Sequence, residues 1–301
     1  MNGKIILITG GTGSLGKALV EKLFDKFIPK KVIVFSRDEF KQSEMRKTHE
    51  YDNLRYLIGN VRDKDRLELA MAGVDVVIHT AALKQVPTLE YNPMEAVKTN
   101  ILGTQNVIQA CLAQGVEKAI FISTDKAVNP INLYGATKLA AEKLWNAANS
   151  YAITKFSSVR YGNVIGSRGS VIPLFQSLEG DTAPVTVAGM TRFWITLSQA
   201  VDLVLYAYFQ DETGVFVPEL KSMRMDNLAK CFKDKIKIVG KRPGEKIHES
   251  LISDDEFVFM TDMKNHWPTD MGYDSDEAER FTQWEMKRLI GINSDAIGPN
   301  C

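Results

Sequence analysis

Short apolar runs alternate with helical spacings through the first half of the chain. Lys4–Thr9 (KIILIT) is apolar and closes on glycines, the pattern of a strand buried on both faces. Leu15, Leu19, Leu23 and Phe27 then recur at helical spacing until Pro29 stops them. Val32–Phe35, Leu54–Ile58 and Val74–Ile78 read as three more buried strands, with a helix over Asp65–Met71 before the last. A helix over Ala96–Gly115, a strand Lys118–Ser123, a helix Gly135–Ser150 and a strand Phe156–Tyr161 follow. Strand and helix alternating across short connections predict an α/β fold, a Rossmann-like doubly wound parallel sheet with helices on both faces. After about Gly166 the alternation breaks. Strands become short (Val185–Val187, Phe216–Pro218, Ile236–Val239), and Gly, Pro and Ser become frequent. The expected organisation is a main domain over 1–165 and a smaller, interleaved C-terminal lobe over 166–301. The helix Ser198–Phe209 is expected to return to the main domain.

Composition changes this picture little. Of 301 residues, 45% are apolar and 25% charged, ordinary for a globular chain. Basic and acidic residues balance at 37 each, so overall charge selects neither nucleic acid nor an anionic membrane. Cys111, Cys231 and Cys301 have neither metal-ligand nor disulfide-framework spacing. No apolar run reaches the roughly 20 residues a membrane helix needs. These features predict a cytoplasmic protein without metal and without membrane insertion.

The chemistry starts in the turn after the first strand, Thr9-Gly10-Gly11-Thr12-Gly13-Ser14-Leu15-Gly16. Glycines at 10, 13 and 16 let backbone approach a pyrophosphate at a helix N-terminus, so Gly10, Thr12, Gly13, Ser14, Leu15 and Gly16 are candidate cofactor residues. The second strand ends in Ser36-Arg37-Asp38-Glu39, with Lys41 a turn on. A 2′-phosphate wants hydroxyls and cations there, which selects NADP through Ser36, Arg37 and Lys41; Asp38 on the ribose would select NAD instead. Asn60 and Val61 follow the third strand and are placed to meet the adenine. Ala81 and Ala82 follow the fourth, as does Lys84, a candidate for cofactor or sugar. His79 reads as structural, and Asn100 as a holder of nearby backbone. The 1–165 domain thus reads as an NADP-binding domain and 166–301 mainly as a substrate-binding lobe.

Tyr134 and Lys138 stand i, i+4 at the start of a helix and share a face. An ammonium beside a phenol lowers its pKa, so Tyr134 can take a proton from an alcohol as hydride leaves the same carbon. This pair behind the glycine turn resembles the extended short-chain dehydrogenase/reductase family. Thr124-Asp125-Lys126, Ser36 to Glu39, Ala82-Leu83-Lys84 and Met190-Thr191-Arg192-Phe193-Trp194 narrow the resemblance to the inverting UDP-N-acetylglucosamine 4,6-dehydratases, from Met1 to about Leu251. The later Gly272–Asp276 stretch is only loosely similar to that family's ending.

The resemblance implies roles. Tyr134 and Lys138 would oxidise C4, with Thr124 on the C4 oxygen. Lys126 would remove the C5 proton, its pKa expected to be lowered by burial, Lys138 and oxidised nicotinamide. Asp125 would protonate the departing C6 hydroxyl. The implied product is a UDP-2-acetamido-2,6-dideoxy-hexos-4-ulose of the L-arabino type for a bacterial surface glycan, formed by a homo-oligomer. Asn163, Arg192 and Arg242 are expected to bind the UDP-sugar; Arg192 suits a diphosphate through its forked donors. Rival expectations are a UDP-sugar 4-epimerase, a bifunctional dehydratase/5-epimerase, and a non-catalytic NADP-binding regulatory module. An epimerase needs Tyr134 and Lys138 but has no use for an acid–base pair at 125–126.

Overall fold

In the computed structural model, which describes residues 1–151, 154–167, 169–261, 266–269 and 272–292, the apolar runs become neighbours in one sheet. Its first six strands are β1 (Ile5–Thr9), β2 (Lys31–Ser36), β3 (Leu54–Ile58), β4 (Val76–His79), β5 (Lys118–Ile122) and β6 (Lys155–Val159). Across the sheet the order is His266–Thr269, Val258–Thr261, Val215–Pro218, β6, β5, β4, β1, β2, β3. Every pairing is parallel except that of His266–Thr269 with Val258–Thr261. The winding direction reverses between β1 and β4, which opens a crevice at their C-terminal ends.

Ile6, Leu7 and Ile8 show why β1 is central. All three are fully buried, with Ile6 and Ile8 packed on one face of the sheet and Leu7 on the other. Burying each is worth roughly 1.5–3 kcal/mol. On the first face they meet Leu19 and Leu23 from the helix Ser14–Lys26, together with Leu203 and Val204 from the helix Leu197–Phe209. On the second, Val107 and Cys111 join Trp145. A separate buried cluster gathers Phe175, Trp194, Leu228 and Met286.

Three local differences from the sequence expectations have physical causes. The fourth strand begins at Val76 because Asp75 turns its carboxylate to the Ile5 amide at 2.6 Å. The expected strand Val185–Val187 lies earlier, at Thr182–Val185, because its partner Lys235–Ile238 ends opposite Val185. The expected helix Ala96–Gly115 is interrupted by a π-helical turn, Val97–Leu102, before Gly103–Gln114. That wider turn aims Asn100 inward. Its amide accepts from Leu83 N, donates to Leu83 O, and donates to Thr137 Oγ1 on the helix Leu133–Ala147.

Asn163–Val164, Thr191–Ile195 and Ser222–Arg224 form a three-stranded ribbon beside the crevice. No helix among the described residues is long and apolar enough to cross a membrane.

Candidate active site

A cavity of about 1110 Å³ runs along the C-terminal ends of β1 to β5 and under the ribbon. All the candidate residues singled out from the sequence line it except Asp125, which lies fully buried behind the wall.

The glycine turn forms one end. A Cβ on Gly16 would sit 2.5 Å from Gly11 Cα, so only glycine lets the helix start against the turn. The helix Ser14–Lys26 has no side-chain cap and no acidic residue in its first turn, so its leading N–H groups and positive end face the cavity uncompensated. At the tip of β2, Ser36 Oγ accepts from Gln42 Nε2 at 3.0 Å and Arg37 is exposed on the cavity rim. Asp38 is already engaged. It caps the next helix by accepting from Lys41 N at 2.9 Å and pairs with Lys41 Nζ at 2.5 Å, contacts that hold its carboxyl below the ordinary range.

At the tip of β4, His79 is buried between Thr9 Oγ1 at 2.6 Å and Thr104 Oγ1 at 3.1 Å. Burial, helped by the charge of Lys138, pushes it down to about 3, so it stays neutral and structural. Ala81, Ala82 and the exposed Lys84 continue the wall.

The next corner of the cavity is built where β5 ends. Thr124, Asp125 and Lys126 form a tight turn against the start of the helix Leu133–Ala147. Contact is close because residue 135 is glycine: a Cβ there would lie 2.1 Å from Lys126 O. Asp125 Oδ1 accepts from Thr124 Oγ1 at 2.9 Å and from Lys126 Nζ at 3.0 Å. Its Oδ2 is buried and has no hydrogen-bond partner among the described residues. Tyr134 lines the same stretch of cavity wall as Thr124 and Lys126. Lys138 donates to Ile122 O at 2.5 Å and lies 3.8 Å from the centre of the Phe121 ring.

Electrostatics here differ from expectation in two ways. Burial pulls the Lys126 amine down, but Asp125 and Glu249 outweigh it, so its pKa is raised rather than lowered and the amine is held charged. For Tyr134, burial raises the phenol and Lys126, not Lys138, is the cation that opposes the rise. Burial brings Lys138 down to about 7, against an upward pull from Glu142. Glu142 is fully buried against Arg160, which also holds Glu256.

Glu249 and Gly135 are the site residues that sequence reasoning misses. Glu249 Oε1 lies 3.4 Å from Lys126 Nζ and 3.8 Å from Arg192 Nε. Glu249 closes the run Lys241–Glu249, in which sequence reasoning singles out Arg242 alone; Gly135 shows only as a glycine inside a first helical turn. Asn163 Oδ1 accepts from Lys126 Nζ at 3.3 Å. Arg192 spends donors on Thr191 O, Ile247 O and Lys246 O, which braces the segment carrying Glu249. Arg242 is exposed on the rim in a turn closed by Glu245.

Residues 6–269 match the family described as polysaccharide biosynthesis protein. A Campylobacter jejuni protein named UDP-N-acetylglucosamine 4,6-dehydratase (inverting) is 51% identical over 275 residues, 88% of this chain and 82% of that one. A Rickettsia bellii protein named UDP-glucose 4-epimerase is 43% identical over 300 residues, 94% of this chain and 88% of that one. The X-ray structure of Pen from Bacillus thuringiensis matches with a TM-score of 0.88 and 39% identity, covering 96% of this chain and 97% of that one. With its doubly wound sheet, glycine turn and Tyr134/Lys138 helix, the chain belongs to the polysaccharide biosynthesis protein family, on the extended short-chain dehydrogenase/reductase fold.

Proposed function

We propose that this protein dehydrates UDP-N-acetylglucosamine across C5 and C6 with inversion at C5, using NADP as resident cofactor and yielding the L-arabino 4-keto product. The observation that carries this reading is the hydrogen bond between Asp125 and Lys126, 3.0 Å long, beside Tyr134 at the tip of β5. It sets a carboxyl and an amine where an elimination needs an acid and a base.

The residues fit a nicotinamide dinucleotide. The uncapped helix start suits a pyrophosphate, and the close-packed glycines leave room for it. Arg37 at the β2 tip, with Asp38 already tied to Lys41, supports a 2′-phosphate over a bare ribose. Bound there, the cofactor supplies a hydride acceptor and donor that starts and ends in one oxidation state. Tyr134 takes the proton of the C4 hydroxyl, and Thr124 orients that oxygen. A ketone at C4 makes the C5 proton acidic; Lys126 would remove it and Asp125 would protonate the departing C6 hydroxyl, after which the hydride taken from C4 would return to C6 and a proton to C5 on the opposite face, giving the inversion. Lys84, Asn163, Arg192 and Arg242 line the side of the cavity assigned to the UDP-sugar.

The second reading, a 4-epimerase, is favoured by the Rickettsia relative's name. Incubation with UDP-N-acetylglucosamine in heavy water separates the two. Dehydration gives a 4-keto, 6-deoxy product carrying deuterium at C5. A UDP-N-acetylgalactosamine product without water loss would overturn the assignment.

A further inference from the structure

Lys126 Nζ donates to Asp125 Oδ1 at 3.0 Å and Asn163 Oδ1 at 3.3 Å and forms an ion pair with Glu249 Oε1 at 3.4 Å, three oxygens from three parts of the chain. Glu249 is itself 3% exposed, and its Oε2 has no hydrogen bond among the described residues. Its segment is fastened to the reactive corner. Asn132 donates to Gly244 O at 2.8 Å, Lys246 donates to Val128 O at 2.5 Å, and Arg192 donates to Lys246 O at 2.9 Å. Ser275 Oγ accepts from Glu249 N at 2.9 Å.

Resting on the dehydratase reading, we propose that Glu249 is a positioning residue that holds the Lys126 amine between two carboxylates and keeps one proton shared by Lys126 and Asp125. Elimination needs a neutral amine and a protonated carboxyl. The resting pair, ammonium and carboxylate, holds the same number of protons. One proton crossing from Nζ to Oδ1, its bonding pair left on nitrogen, turns the resting pair into the working one. No proton enters or leaves, so the pair works over the pH range in which it holds exactly one proton between them. Loss of that proton to solvent ends activity at high pH, and the charge of Glu249 delays that loss. The other charged or titratable groups facing Lys126 are Arg192 on the ribbon, which opposes Glu249, Tyr134 on its helix, and Lys246 beyond Glu249.

The test compares water loss from UDP-N-acetylglucosamine against pH in the wild type, Glu249→Gln, Glu249→Asp and Glu249→Ala. Glu249→Gln keeps an acceptor and loses the charge, so its alkaline limb should move down by about one to two pH units with KM little changed. Glu249→Asp should keep the wild-type limb, and Glu249→Ala should lower kcat about tenfold or more. Carbamylation of Lys126 by cyanate, followed by peptide mass spectrometry, gives a readout independent of turnover. Lys126 should react at lower pH in Glu249→Gln. Matching limbs and matching carbamylation profiles in wild type and Glu249→Gln would overturn the proposal alone. A wild type that forms no 4-keto product would instead overturn the dehydratase reading, before any variant is compared.

Discussion

Lys126 Nζ donates to Asp125 Oδ1 across 3.0 Å, and the two residues are adjacent in the chain. A tight turn rather than a long-range contact therefore brings the proposed acid and base together. Lys126→Ala should lower dehydration by at least about 10³-fold, the upper range for loss of an acid–base group. Oxidation at C4, followed by transient absorbance of the reduced cofactor, should persist but slow, because Lys126 is the cation that opposes the rise of the Tyr134 phenol. A variant that dehydrates at the wild-type rate would remove Lys126 from the mechanism.

Gly135→Ala tests how the tyrosine helix is seated. The added methyl carbon would lie 2.1 Å from Lys126 O, so helix and turn must part. We expect a loss of about 1–3 kcal/mol in stability and about 100-fold in kcat. Thermal unfolding and steady-state kinetics measure the two separately.

Arg160 is fully buried between Glu142 and Glu256. Arg160→Leu strands two carboxylates and should cost about 3–5 kcal/mol in a denaturant titration. Adding Glu142→Gln should recover part of that loss, because one buried charge is then removed.

His79 supplies a pH dependence with a definite sign. Folded, it protonates only near pH 3; unfolded, near 6.5. Between those values the unfolded chain binds the extra proton, so stability falls as pH falls through this window. The slope from this residue is about 1.4 kcal/mol per pH unit at most. The stability gap between wild type and His79→Gln should narrow as pH drops from 6.5 toward 4, as read by urea denaturation.

Arg37→Ala should weaken NADP binding about 10- to 100-fold and leave NAD nearly unchanged. Calorimetric titration with each dinucleotide checks this, and equal losses for both would place Arg37 away from a 2′-phosphate.

What the sequence made legible is local. KIILIT followed by glycines announces a buried strand and its turn within a dozen residues, and Tyr134 and Lys138 are one helical turn apart. Thr124 to Lys126 could be placed because they end a recognisable strand. Glu249 could not, since only folding brings the run that ends there against the turn that follows β5. The charge on Lys126 differs from the sequence expectation because Asp125 first, and Glu249 after it, outweigh the burial that the sequence suggests.

The π turn at Val97–Leu102 has its own consequence. It accommodates one residue more than an α-helical turn, and deleting that residue would swing Asn100 by about 100° around the helix. Leu83 and Thr137 would then lose their common clasp, and the wall holding Ala81 and Ala82 would drift independently of the helix bearing the phenol. Spacing along this stretch is thus as much a specification of the pocket as the residues that line it.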